Sequence, residues 1–139
     1  MQMRTIIRNA RLFDSEHARF VPGTTVVIEG ERIVEVTQEK REAPGATATA
    51  IDAGGRALLP GLIDAHVHVV AASHDLVGLA MQPASLIGAE ASRIMREMLH
   101  RGFTTVRDAA GADQGLQEAQ RRGLYEGPRL FIAGFPVSQ

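Results

Sequence analysis

The apolar and polar positions of the chain follow one pattern up to residue 60 and another after it. In the first part, short runs rich in β-branched residues are separated by turn-forming residues, as at 4–14 and 24–36. Gly30 divides the second run where a tight hairpin needs a residue with positive φ. This part predicts a small β-module, with an exposed connection at 38–48, where charged residues give way to Pro, Gly and Ala.

The second part of the chain predicts strands that alternate with helices. Apolar runs of strand length alternate with segments of helical periodicity, in the order 61–70, 83–102, 103–108, 113–123 and 128–134. Each helical segment ends in glycine, the residue preferred just after a last helical turn. A continuous apolar run such as 61–70 is typical of a strand buried on both faces. The β-α-β-α-β order therefore indicates an α/β fold with a parallel sheet.

The first apolar run of the second part, "GLIDAHVHVV", contains two histidines separated by one valine. Alternate side chains of a strand share a face, which predicts that Asp64, His66 and His68 lie on one side. Two imidazoles about 6.6 Å apart can bind one divalent ion through one nitrogen each. Zinc, manganese, cobalt, nickel and iron all accept such ligands. The spacing also arises by chance, and a single buried histidine is more commonly satisfied by backbone groups.

Composition excludes several classes of function. The chain has 15 Lys and Arg against 16 Asp and Glu, so no basic surface for nucleic acid or an anionic membrane is expected. No apolar run approaches the ~20 residues that cross a bilayer, and the N-terminus lacks the apolar core of a secretory signal. The absence of cysteine is compatible with the reducing cytoplasm, which is the expected location.

Several motifs together resemble the amidohydrolase superfamily of metal-dependent hydrolases. The segment "LLPGLIDAHVHV" is similar to the first-strand signature P-G-(L/F)-I-D-x-H-x-H of that superfamily. "RGFTTVRDAAG" and "GPRLFIAGFPVSQ" are similar to its second-strand and third-strand segments. The strands near the N-terminus resemble those from which these enzymes build a β-sandwich. Within the superfamily, the chain looks most like the subgroup of imidazolonepropionase and Xaa-Pro dipeptidase.

The resemblance implies a fold in two parts. Residues 1–57 would form a β-module that belongs to a composite β-sandwich. Residues 58–139 would supply the first three strands and two helices of a TIM-type (β/α)8 metal-hydrolase barrel. Because a complete barrel needs about 250 residues, the chain is expected to be the N-terminal portion of such an enzyme. The resemblance places the remaining ligands and the catalytic residues, which stay unknown here, on later strands.

The resemblance also implies roles for particular side chains. His66 and His68 match the first two metal ligands of the family, and zinc is the expected metal, as one or two ions in the complete enzyme. Asp64 matches the aspartate of the motif and would either support the site or cap the start of the strand.

Three further residues are candidates for a place at the site. Arg107 and Asp108 end the second strand at the same edge of the sheet, where they would support the site or form a local ion pair that steadies a turn. His74 follows the first strand in a loop that faces substrate in such barrels, and is a candidate substrate contact.

The function that follows is hydrolysis of a C–N bond in a small amide, cyclic amide or dipeptide-like substrate by metal-activated water. Two histidines are at least one protein ligand short of a catalytic zinc site, so residues 1–139 alone are expected to bind metal weakly and to be inactive.

Two alternatives remain open on the sequence alone. One is a non-catalytic interaction module, or a complementing fragment, that associates through its open sheet edge with a second polypeptide or a second copy. The other is a cupin-like barrel, which also uses H-x-H. It would need a glutamate soon after the pair and further strands, whereas "HVHVVAASHDLVG" has no glutamate and helical segments follow.

Overall fold

A computed structural model describes residues 3–39 and 48–135 of the 139-residue chain. The described residues form an α/β structure with eight strands and three helices, in agreement with the predicted fold class. The chain divides into two compact units, Met1–Pro60 and Gly61–Gln139. The connection predicted at 38–48 falls largely on residues 40–47, which lie outside the described part of the chain.

The first unit is built on one five-stranded mixed sheet. Its strands are β1 (Arg4–Asp14), β2 (Arg19–Glu29), β3 (Arg32–Thr37), β4 (Ala48–Asp52) and β5 (Ala57–Leu58). β1, β2 and β3 pair in antiparallel order, whereas β4 and β5 pair parallel to β1. The predicted hairpin is confirmed, because Gly30 has a φ of +59° in the turn between β2 and β3.

The second unit contains a parallel sheet of three strands and three helices. In chain order these are β6 (Leu62–Val67), α1 (Leu76–Ala80), α2 (Ala84–His100), β7 (Phe103–Asp108), α3 (Gln114–Arg121) and β8 (Arg129–Ile132). The sheet order β6-β7-β8 and the parallel pairing confirm the predicted β-α-β-α-β arrangement. Helix α1 was not predicted. None of the described helices combines the length and the apolar character that crossing a membrane requires.

One face of the parallel sheet packs against helices α2 and α3. Val106 and Leu130 are paired in register on β7 and β8, and both are buried. They join Ala91 and Met95 of α2 and Leu116 of α3 in one apolar cluster. Both α2 residues are completely buried, as the helical spacing of apolar residues predicts.

The prediction that the first parallel strand is buried on both faces is wrong for these residues. Leu62 and Ile63 of β6 are 46% and 72% exposed, and Phe131 of β8 is 52% exposed. β6 and β8 are the edges of the described sheet. Apolar side chains that a larger sheet would cover therefore face solvent here.

Candidate metal centre

The two histidines lie at the carboxyl end of β6. His66 is within the strand and His68 follows it directly. Their ring centroids are 5.3 Å apart, the ring planes meet at 79°, and both residues are exposed. The intervening Val67 and the following Val69 are buried in the cluster between sheet and helices. Alternation along the chain therefore brings the two imidazoles together on the side away from that core.

The loop after β7 fixes the ring of His68. The Nδ1 atom of His68 lies 3.2 Å from the carbonyl oxygen of Ala110. Because a carbonyl oxygen only accepts hydrogen bonds, Nδ1 must be the donor. In the neutral ring, Nε2 then carries the lone pair. Histidines that bind metal through one nitrogen are commonly held in this way through the other.

Asp108, at the end of β7, joins the loops that follow all three parallel strands. Its side chain is completely buried. One carboxylate oxygen accepts the backbone N–H of Val69 at 2.7 Å, and the other accepts that of Ala112 at 3.1 Å. Its backbone carbonyl accepts the N–H of Ala133 at 3.0 Å. Asp108 therefore accepts a hydrogen bond from one backbone N–H group beyond the end of each strand: Val69 after β6, Ala112 after β7 and Ala133 after β8.

The Asp108 carboxylate does not form the local ion pair that the sequence left open. No ion pair between described residues joins Asp108 to Arg107, whose side chain is exposed. Adjacent residues of a strand point to opposite faces, which separates the two side chains. Ala110 lies between Asp108 and Ala112, so the bond from Asp108 to Ala112 restrains the loop whose carbonyl holds His68.

The strand is irregular within the predicted row of three side chains. The register between β6 and β7 shifts between Asp64 and Val67, so strict alternation does not run through the whole of this segment. A carboxylate oxygen of Asp64 accepts the backbone N–H of His66 at 3.1 Å. His74 is exposed in the loop between β6 and α1. Within the described ranges, no group of three or more His, Asp or Glu side chains is arranged to hold a metal ion.

Backbone groups of the β7 loop are the part of the site that the sequence did not reveal. No side chain in the sequence indicates the role of the Ala110 carbonyl, but the glycine at the neighbouring position 111 does indicate an unusual loop. Gly111 has a φ of +107°, and a Cβ atom there would lie 2.6 Å from a methyl carbon of Val70. The loop therefore needs glycine both for its backbone conformation and for its close approach to the loop after β6.

Replacing Gly111 by alanine is expected to destabilise the second unit by about 2 kcal/mol, since backbone strain and a steric clash both oppose the substitution. Gly123→Ala is the matched control. Gly123 also has a positive φ, +70°, but nothing lies within 4 Å of the added methyl group, so a loss of about 1 kcal/mol is expected from the backbone alone. Urea unfolding of both variants measures the difference, and equal losses would contradict the close approach to Val70.

Part of the chain is similar to a known protein family and to curated proteins. The model of the amidohydrolase family matches residues 57–139. An imidazolonepropionase of Arthrobacter sp. (strain FB24) is 47% identical over 71 residues, which are 49% of this chain and 17% of that protein. An adenine deaminase of Mesorhizobium japonicum is 39% identical over 64 residues, which are 46% of this chain and 11% of that protein.

Solved structures match nearly the whole chain. A prolidase complexed with N-methylphosphonate-L-proline is 43% identical, with a TM-score of 0.88 over 95% of this chain and 32% of its own. A Xaa-Pro dipeptidase with methionine bound in its active site is 25% identical, with a TM-score of 0.82 over 97% of this chain and 34% of its own. This chain thus spans about a third or less of each of these four proteins. It belongs to the amidohydrolase family.

Proposed function

We propose that this chain supplies two metal ligands, His66 and His68, to a hydrolase that cleaves C–N bonds with a metal-activated water. The observation that carries the proposal is the closeness of the two rings, 5.3 Å apart at the carboxyl end of a parallel strand. Catalytic groups of parallel barrels lie at this end of the strands.

The proposed architecture has two parts. Residues 58–139 supply the first three strands of a (β/α)8 barrel, the connecting helices α2 and α3 and the short helix α1, and residues 1–57 supply strands of a composite β-sandwich. The parallel order β6-β7-β8 supports the first assignment. The TM-scores of 0.88 and 0.82 against the prolidase and the Xaa-Pro dipeptidase support both, since each alignment covers at least 95% of this chain.

His66 and His68 are residues of the type that binds a divalent ion such as zinc, but two ligands are fewer than a catalytic zinc site has. Two exposed imidazoles lie edge to face with their centroids 5.3 Å apart, and the Ala110 carbonyl keeps the proton of His68 on Nδ1, which leaves Nε2 for a metal. A divalent ion bound there would polarise a carbonyl group and lower the pKa of water. Asp108 contributes indirectly, since its carboxylate holds the loops that carry both His68 and Ala110.

The proposed substrate is a small amide, cyclic amide or dipeptide-like molecule. The relatives support this class, because they include an imidazolonepropionase, an adenine deaminase, a prolidase and a Xaa-Pro dipeptidase. The formal net charge of −1 gives no reason to expect a polyanionic substrate.

A second candidate function is favoured by the exposed apolar side chains at the sheet edges. Ile63 and Phe131 lie on the two edge strands of the described sheet and are 72% and 52% exposed. Such positions suit an interaction module that pairs with a second polypeptide or a second copy.

Purified residues 1–139 are expected to bind zinc weakly and to hydrolyse no Xaa-Pro dipeptide, because the described residues hold no third ligand beside the two histidines. Equilibrium dialysis and a dipeptide assay measure both properties. Tightly bound stoichiometric zinc with turnover would contradict the ligand count.

Mixing the chain with the remaining two thirds of the 43% identical prolidase separates the two candidate functions. The metal-hydrolase proposal expects a complex that hydrolyses the dipeptide and that loses this activity with His66→Asn. A stable complex without hydrolysis would favour the interaction module instead.

A further inference from the structure

An apolar cavity of about 540 Å³ opens beside His68. Its walls come from the loop after β6, from α1 and α2, and from the loops after β7 and β8. Apart from His68, the described residues of the lining are apolar and include Val70, Ala71, Leu79, Ala80, Ile87 and Phe135. The cavity lies entirely within the second unit, and its volume is in the range of small-molecule sites.

We propose that this cavity is a specificity subsite that receives an apolar side chain of the substrate, of the size of leucine or phenylalanine. This inference rests on the proposed function, because the His66–His68 pair defines where the C–N bond lies. His68 connects the metal centre to the cavity, because its ring lies beside that of His66 and also forms part of the cavity wall. A substrate amide at the pair would thus present its neighbouring substituent to the cavity.

The chemistry of the lining determines which substituent fits. An aliphatic or aromatic group gains free energy when it leaves water for an apolar surface. A carboxylate or an ammonium group would lose its hydration there, because no described residue of the lining apart from His68 can carry a charge. The subsite therefore selects apolar side chains and rejects acidic and basic ones.

The position of the His68 ring limits how the cavity can be filled. The hydrogen bond from Nδ1 of His68 to the Ala110 carbonyl restrains the ring at the wall of the cavity. Gly111 and Val70 also line the cavity, and a side chain at Gly111 would collide with Val70. Glycine at 111 therefore keeps this part of the wall in place.

Metal-free residues 1–139 provide the test, through NMR titrations with N-acetyl-L-leucinamide, N-acetylglycinamide and N-acetyl-L-glutamate. The leucine compound is expected to bind at least about tenfold more tightly than the other two, because burial of the leucine side chain alone raises the affinity by about that much. Ala71→Leu fills the cavity and should lower the leucine affinity at least about tenfold. Ala72→Leu is the control, since Ala72 is also exposed in the same loop but lies outside the lining.

A second pair of variants covers the case in which Ala71→Leu fails to fold. Ala80→Phe fills the cavity from α1, and Ala89→Phe changes an exposed alanine of α2 outside the lining. Equal affinity for the leucine and glycine compounds, or equal effects of a filling variant and its control, would overturn the subsite. Because no metal is present, this result is separate from zinc binding. Discrimination without any zinc binding would show an apolar ligand site but would reject both the metal centre and the assignment of the cavity as a subsite of the hydrolase.

Discussion

Replacement of Asp108 by alanine is expected to lower the free energy of unfolding of the second unit by about 3–5 kcal/mol. The carboxylate accepts the N–H groups of Val69 and Ala112, two residues that are 0% and 1% exposed. Alanine leaves both amides buried without an acceptor, at a cost of about 1–3 kcal/mol each, and adds a small cavity. Urea unfolding followed by circular dichroism measures the loss.

Two control variants show whether the Asp108 carboxylate itself is responsible. Arg107→Ala changes the exposed neighbour and should alter stability by no more than about 0.5 kcal/mol. Asp108→Asn keeps the shape and one acceptor oxygen but turns an NH₂ group towards the second amide, so its loss should be intermediate. An Asp108→Ala protein within about 0.5 kcal/mol of the wild type would refute the role of this residue in joining the loops.

Local sequence signals predicted most of the elements. Helix α2 follows from apolar spacing between Pro83 and Gly102, and the hairpin at Gly30 from one glycine between two β-rich runs. Helix α1 escaped prediction because its five residues are too short for a periodic pattern, and its start depends on Asp75, whose carboxylate accepts the N–H of Gly78 at 2.9 Å. Burial of β6 was overestimated, since an apolar run does not reveal how many layers cover a strand.

The candidate site was predictable only in its side-chain motif. The spacing of His66 and His68 anticipates that both rings face one way, and the structure brings them to 5.3 Å. The irregularity between Asp64 and Val67 was hidden, because a shift of strand register depends on the partner strand. The bond from Asp108 to Val69 was hidden too, since it joins residues 39 positions apart.

Substitution of His66 or His68 by asparagine is expected to lower the zinc affinity of residues 1–139 at least about tenfold, because each change removes one of two ligands. Asparagine keeps a polar side chain of similar width, and both positions are exposed, so the fold should be retained. Competition with a zinc-binding dye measures the affinity of each variant.

Matched controls for these substitutions are His74→Asn and His100→Asn. Both residues are exposed histidines of the same unit, in the loop after β6 and in the last turn of α2. Neither should change the zinc affinity by more than about twofold if the ion is held as proposed. Equal losses from all four variants would point to nonspecific binding by surface histidines.

The most direct measurement is the long-range ¹H–¹⁵N NMR spectrum of the histidine rings during a zinc titration. We expect His68 to carry its proton on Nδ1 before zinc is added, and zinc then to shift Nε2 of His68 and one nitrogen of His66 together, at the same concentration. A protonated Nε2 on His68, or zinc shifts confined to His17, His74 or His100, would contradict it.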